Sequence, residues 1–160
     1  MYIDRINTLM ASDILSWKYD KPYDFYNNEF SPEAVSEMLE DSYFGVFDTG
    51  KRLVGFFCLG LAAQVPNDEY VYSKQYIDIG IGMRPEYTGQ GNGVSFLGFI
   101  LSYISKTYGN TPKRLTVAKF NLRAIRLYEQ FSFHRESEFV KGTIAFVTMI
   151  QENDSFSEPG

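Results

Sequence analysis

Residues 84–100, RPEYTGQGNGVSFLGFI, set Gly89, Gly91 and Gly93 at alternate positions directly in front of an apolar run. Upstream, YIDIGIGM alternates strictly. Ile77, Ile79, Ile81 and Met83 face one way and Asp78, Gly80 and Gly82 the other, which predicts a strand with one core face and one face of almost bare backbone. Downstream, Val94, Leu97, Leu101, Ile104 and Tyr108 recur three and four apart, the stripe of a helix from about Gly93 to Tyr108. A strand, a glycine loop and a helix make an anion site, or else no more than a flexible strand-to-helix turn. The first helical N–H groups lack partners, the helix dipole is positive there, and glycines let a ligand approach the backbone. The loop departs from both familiar nucleotide fingerprints. Val94 stands where a dinucleotide fold wants its third small residue, and Val94-Ser95 stands where a P-loop wants Lys and then Ser or Thr.

Working outward, YIDRIN reads as a short strand, and ASDILSWK as a helix with Ser12 as its N-cap. SPEAVSEMLED reads as a helix with Ser31 at the N-cap and Pro32 in the first turn. YFGVFD and LVGFFCLGL form a hairpin across TGKR, whose glycine suits a tight turn. RLTVA is a buried strand, Asn121 caps the short helix NLRAIRLYEQF, and FHRESEFV and TIAFVTMI meet at Lys141-Gly142. The order predicts an α/β fold of the mixed α+β kind, a mixed sheet of six to seven strands flanked by about four helices.

A chain of 160 residues fits one domain, expected over residues 1–150 with a fraying tail at 151–160. Its 44% apolar and 17% aromatic content excludes a disordered class. With no run long enough for a bilayer and no leader pattern, the expectation is a cytoplasmic protein without a membrane partner. The lone Cys58 excludes a disulfide framework or a cysteine zinc site, and no metal is expected. Net charge is −5, unevenly spread. Residues 1–50 hold ten acidic and three basic side chains, whereas residues 74–135 hold nine basic and three acidic. That division suits a cationic ligand on one side and an anionic one on the other, or is solvated charge. The overall acidity argues against nucleic acid.

GMRPEYTGQGNGVSFL followed by LTVAKFNLRAIRLYEQFSF resembles the GNAT superfamily of acyl-CoA-dependent N-acetyltransferases. The family loop, Gln/Arg-x-x-Gly-x-Gly/Ala, is matched by Gly91 and Gly93, with Thr88 in the Gln/Arg position. Asn121, Ala124, Leu127, Tyr128, Glu129 and Phe133 fit the second motif, in which Ser132 replaces the usual glycine. The resemblance implies acetyl-CoA as co-substrate. It gives the pyrophosphate to Thr88, Gly89, Gln90, Gly91, Asn92 and Gly93, and the pantetheine and acetyl group to the backbone near Ile81 and Met83. Asn121 would take the pantetheine arm, and Lys119, Arg123 or Arg126 could reach the 3′-phosphate.

By the same resemblance the Met83 N–H would stabilise the oxyanion and Tyr128 would be the general acid. An ordinary phenol at about 10 and thiol at about 8.5 make full transfer uphill by about 2 kcal/mol, so Tyr128 would mainly hydrogen-bond the leaving thiolate. Asp78, on the bare face, is a candidate base or a solvent-facing edge residue. Thr116 stands where some protein-acetylating members carry a Glu, and His134 lies on the wrong side of the motif. The aromatic and acidic stretch WKYDKPYDFY, with Trp17, Tyr19, Tyr23, Phe25 and Tyr26, either receives a cationic amine or packs the first helices. Tyr23 and Tyr26 are its candidate substrate contacts. The expected acceptor is a small-molecule amine or a peptide N-terminus, with a homodimer left open. The competing expectation is a silent domain that binds CoA as a sensor.

Overall fold

The computed structural model describes residues 1–28, 30–40 and 42–152. Among them are seven strands: β1 (Tyr2–Arg5), β2 (Tyr43–Phe47), β3 (Leu53–Leu59), β4 (Ile77–Met83), β5 (Lys113–Ala118), β6 (His134–Lys141) and β7 (Ile144–Gln151). Four helices accompany them, α1 (Thr8–Ser16), α2 (Pro32–Met38), α3 (Gly93–Tyr108) and α4 (Leu122–Gln130). The strands form a mixed sheet in the order β1-β2-β3-β4-β5-β7-β6. β4 and β5 are parallel, with Ile77 opposite Lys113 and Ile79 opposite Leu115, while β5 and β6 each run antiparallel to β7. Two compact units arise, Met1–Cys58 with Ile81–Gly93, and Leu59–Gly80 with the chain from Val94 onward.

In the first unit β1, β2 and β3 form an antiparallel meander. α1 begins at Thr8, which leaves the expected cap Ser12 inside the helix. Asn7 caps instead, its Oδ1 accepting the Met10 N–H at 2.9 Å. Ser31 caps α2 as read, accepting the Ala34 N–H at 3.0 Å. In the β2–β3 turn the left-handed residue is Lys51, at φ 64°, and not Gly50. The Asp48 carboxylate accepts the N–H groups of Gly50 and Arg52, both at 2.9 Å, and holds the turn in that shape. Ala11, Ile14, Leu15 and Trp17 bury against Met38, Phe47 and Leu53 to make this unit's core.

The face of β4 expected to be bare is covered at Gly82. A Cβ there would lie 2.2 Å from the ring of Phe56, which itself packs near Trp17 and Tyr43 at centroid distances of 6.2 and 6.3 Å. Glycine stands at 82 because an aromatic ring takes the side-chain space.

In the second unit α3 has the expected bounds, but its buried face is Phe96, Leu97, Ile100, Leu101 and Ile104. Val94 and Tyr108, the ends of the predicted stripe, are each 48% exposed. Asn121 caps α4 as read, Oδ1 accepting the Ala124 N–H at 3.1 Å. β7 runs one residue into the expected tail. Gln151 is 1% exposed and its Nε2 donates to the Phe131 carbonyl at 2.7 Å. Residues 153–160 lie outside the described residues. Among the described residues no helix is long and apolar enough to cross a membrane.

Candidate functional site

The glycine loop is braced by its own side chains. Arg84 to Thr88 form a 3₁₀ turn over Pro85–Tyr87. The Thr88 hydroxyl donates to the Pro85 carbonyl at 2.7 Å, Gln90 Nε2 to the Glu86 carbonyl at 2.7 Å and Asn92 Nδ2 to the Tyr87 carbonyl at 3.1 Å. Three polar side chains thus point back at the turn that precedes them. Gly89 and Gly91 take φ values of 70° and 79°, which reverse the chain where a Cβ would be strained. Among the described residues the N–H groups of Gly89, Gln90 and Gly91 make no hydrogen bond, and this stretch is exposed. Free N–H donors in front of α3 fit a phosphate group, and the chain offers them through backbone. The substitution of Thr88 for a longer polar residue has a structural use, since its hydroxyl closes the 3₁₀ turn.

The end of β4 carries Ile81 and Met83, and its parallel ladder with β5 covers only Ile77–Ile79. The Met83 carbonyl accepts the Tyr19 hydroxyl at 2.7 Å. Burial, with Glu86 adding, pushes the Tyr19 phenol up to about 12, so it remains a donor at any working pH. Next along, Arg84 donates through Nε to the Leu53 carbonyl at 2.7 Å and through Nη2 to Asp13 Oδ2 at 2.6 Å. Its guanidinium lies 5.1 Å from the centre of the Trp17 ring, whose Nε1 donates to Asp13 Oδ1 at 3.1 Å. Trp17 and Tyr19, grouped by sequence with the acceptor-facing aromatics, are therefore engaged with β4 and the residue that follows it. The cation at Trp17 is the chain's own Arg84. Tyr23 and Tyr26 lie in the same unit, half-buried, in a 3₁₀ turn over Tyr23–Tyr26.

Asp78 departs from its expected setting. It is 4% exposed, with Oδ1 and Oδ2 accepting Arg114 Nε and Nη2 at 2.6 and 2.8 Å and Oδ2 also accepting Gln64 Nε2 at 2.9 Å. Arg114 is fully buried and also donates to the Tyr70 hydroxyl at 3.1 Å and the Ser73 carbonyl at 2.9 Å. Its guanidinium lies 5.8, 4.8 and 5.1 Å from the ring centres of Tyr70, Tyr72 and Tyr76. Burial alone would lower the Arg114 pKa, yet the hydrogen bonds and charge of Asp78 carry it above the usual guanidinium value. A carboxylate held this way is a buried ion-pair partner, which corrects the alternative of a solvent-facing edge residue. Thr116 is also engaged, its Oγ1 2.9 Å from the Tyr72 hydroxyl, which accepts the Val65 N–H at 3.0 Å. The sequence signal for this cluster is the density of tyrosine in EYVYSKQY, a connection otherwise polar.

On α4, Tyr128 is 7% exposed beside Phe133, at a centroid distance of 6.3 Å, and Asn121 holds the cap. Ser132 adopts φ 67°, and Phe133 N–H donates to the Tyr128 carbonyl at 3.2 Å. The left-handed conformation at 132 explains why the family prefers glycine there. Among the candidates for the 3′-phosphate, Arg123 and Arg126 are exposed, while Lys119 pairs with Glu138 at 2.6 Å.

A mixed sheet whose fourth strand leads into a braced glycine loop with free backbone N–H groups marks an α/β protein with the geometry of an anion site. Residues 10–133 match the acetyltransferase (GNAT) family, and the chain belongs to that family. Its fold is similar to the spermidine N-acetyltransferase from Vibrio cholerae in complex with CoA and spermine, with a TM-score of 0.71 and 20% identity, covering 96% of this chain and 95% of that one. It is also similar to a GNAT-family acetyltransferase from Bacillus anthracis, with a TM-score of 0.70 and 16% identity over 94% and 93% of the two chains. A dodecameric structure of the Vibrio cholerae spermidine enzyme gives a TM-score of 0.66 at 20% identity over 98% and 96%. At these identities the likeness is one of fold. No curated protein matches the chain.

Proposed function

We propose that this protein transfers the acetyl group of acetyl-CoA to a primary amine by direct attack, with a cationic small molecule such as a polyamine as acceptor and a peptide N-terminus as the other candidate. The observation that carries the reading is the loop, where the N–H groups of Gly89, Gln90 and Gly91 make no hydrogen bond among the described residues while Thr88, Gln90 and Asn92 brace the backbone from behind. When bound, acetyl-CoA supplies an activated thioester. Thr88 to Gly93 hold its pyrophosphate, Ile81 and Met83 its pantetheine and acyl end, and Asn121 its pantetheine arm. The Met83 N–H faces the charge that develops on the acyl oxygen, and Tyr128 hydrogen-bonds the departing sulfur.

Asp78, with both oxygens bonded to Arg114, is a poor proton acceptor, so we read the amine as entering in its neutral form. An alkyl amine with a pKa near 10.4 is neutral in only about one molecule in a few thousand at pH 7. The rate should therefore climb with pH towards the pKa of the amine. Exposed Asp20 and Asp24, near Tyr23 and Tyr26 in sequence, supply the negative charge that concentrates a cationic acceptor. The Vibrio cholerae structure containing spermine adds weight to a polyamine, as an analogy of fold.

The test is thiol release from acetyl-CoA across a panel of polyamines, aminoglycosides and peptides with free N-termini. Turnover with a cationic amine is expected, and Tyr128→Phe should lower kcat about tenfold or more with little change in the KM for acetyl-CoA. Binding of acetyl-CoA without turnover of any amine would refute the enzymatic reading and favour a CoA-binding sensor.

A further inference from the structure

The peptide unit between Met83 and Arg84 is held at both ends. Its N–H donates to the Val54 carbonyl at 2.8 Å, and its carbonyl accepts the Tyr19 hydroxyl at 2.7 Å. Fixing that plane fixes the rotation at Met83 from the C-terminal side, while the Phe56 ring wedges Gly82 on the side before it. Tyr19 is itself anchored. Its N–H donates to Asn27 Oδ1 at 2.6 Å, and Lys18 Nζ donates to the Asn28 carbonyl at 3.0 Å, so residues 18–28 close into a loop with Tyr19 at its base. The neighbouring Trp17 lies against Arg84 and shares Asp13 with it.

We propose that Tyr19 is a positioning residue for acyl transfer, its hydroxyl setting the Met83 backbone against the acyl group and tying that setting to the closure of the 18–28 loop. The inference rests on the acetyltransferase reading, which gives Met83 its role. Tyr19 touches no reacting atom and acts through a carbonyl. Without the hydroxyl, the Met83 carbonyl loses its partner and the strand end gains freedom to rotate, which costs more in the transition state than in cofactor binding.

Tyr19→Phe and Asn27→Ala are compared with the wild type in two reactions, acetyl transfer to the fastest amine of the panel and acceptor-free hydrolysis of acetyl-CoA. Tyr19→Phe should lower kcat about tenfold in both, the size of one lost hydrogen bond to a partly buried carbonyl, with the acetyl-CoA KM within about twofold. Asn27→Ala keeps the phenol and loosens the loop, so it should show the same split at smaller size, and it carries the test if Tyr19→Phe does not fold. Wild-type turnover with Tyr19→Phe (or, failing its folding, Asn27→Ala) undiminished overturns this inference alone. So does a raised amine KM with unchanged hydrolysis, which would make Tyr19 an acceptor contact. A wild type that turns over no amine overturns the functional reading and this inference with it.

Discussion

Replacing Asp78 by Asn keeps the size of the side chain and removes one charge from a pair whose side chains are 0% exposed for Arg114 and 5% for Asp78. The carboxylate accepts three N–H groups, at 2.6, 2.8 and 2.9 Å. An amide offers one oxygen to those donors and turns an NH₂ towards the rest. Arg114 would keep the Ser73 carbonyl, the Tyr70 hydroxyl and the faces of three tyrosines, but no countercharge among these partners. Stranding a buried charge costs about 3–5 kcal/mol. The retained ring and carbonyl contacts favour the lower end, about 3 kcal/mol, which is a drop of about 1.5 M in urea midpoint for an m-value of about 2 kcal/mol per M. Asp78→Asn with Arg114→Met removes both charges and should recover at least about 1 kcal/mol of that loss. Urea unfolding followed by tyrosine and tryptophan fluorescence measures both variants, and acetyl transfer is assayed in parallel well below the midpoint. A single-variant loss under about 1 kcal/mol, or a double variant less stable than the single, would refute the stranded-charge reasoning. A folded Asp78→Asn protein with kcat reduced a thousandfold would instead return Asp78 to the role of proton acceptor.

Ser132→Gly should stabilise the protein by about 0.5–1 kcal/mol in the same unfolding assay, because Ser132 is held at φ 67° where an L-residue costs about 1–2 kcal/mol and glycine trades part of that for chain entropy. Gly91→Ala forces a Cβ onto φ 79° although nothing lies within 4 Å of it. It should cost about 1–2 kcal/mol of stability, and calorimetry should find acetyl-CoA binding weakened about tenfold or more. The Tyr19 phenol, raised to about 12 when folded, binds its proton more tightly than in the unfolded chain. Its contribution is complete below about pH 10 and fades as pH rises from about 10 towards 12. Tyr19→Phe should flatten that part of the stability profile measured by urea unfolding.

The glycine loop was legible because each of its properties is local. Alternate glycines announce positive φ, Pro85 ends the strand, and the 3.6-residue stripe after Gly93 announces a helix, so residues 84–100 could be placed without any distant partner. The Asn121 and Ser31 caps were legible for the same reason. The burial of Asp78 was not legible, because alternation gives a side chain's face and says nothing of what covers that face. Its partner Arg114 lies 36 positions away, and the tyrosines round Arg114 sit in a connection with no periodicity to read. Gly82 shows the same limit, since a glycine on a strand can equally mark an open face or a ring pressed against the backbone, as Phe56 is.

The division of charge changes meaning once pairs are known. Arg84, Arg114 and Lys119 of the basic stretch are taken by Asp13, Asp78 and Glu138, and Lys113 is buried. Part of the apparent affinity for a polyanion is thus used inside the fold, which shifts weight in the proposed phosphate site towards backbone N–H groups. The acidic half loses far less. Asp20, Asp24, Glu33, Glu37 and Glu40 are all exposed, and only Asp13 of the first fifty residues answers a cation of the basic stretch in the ion pairs above. Exposed carboxylates act over about a Debye length, roughly 8 Å at physiological salt, and could steer the proposed polycation without an aromatic cage. For the cationic acceptor proposed above, exposed carboxylates are the available attraction, since Trp17, the residue best suited by type to bind a cation, already holds Arg84.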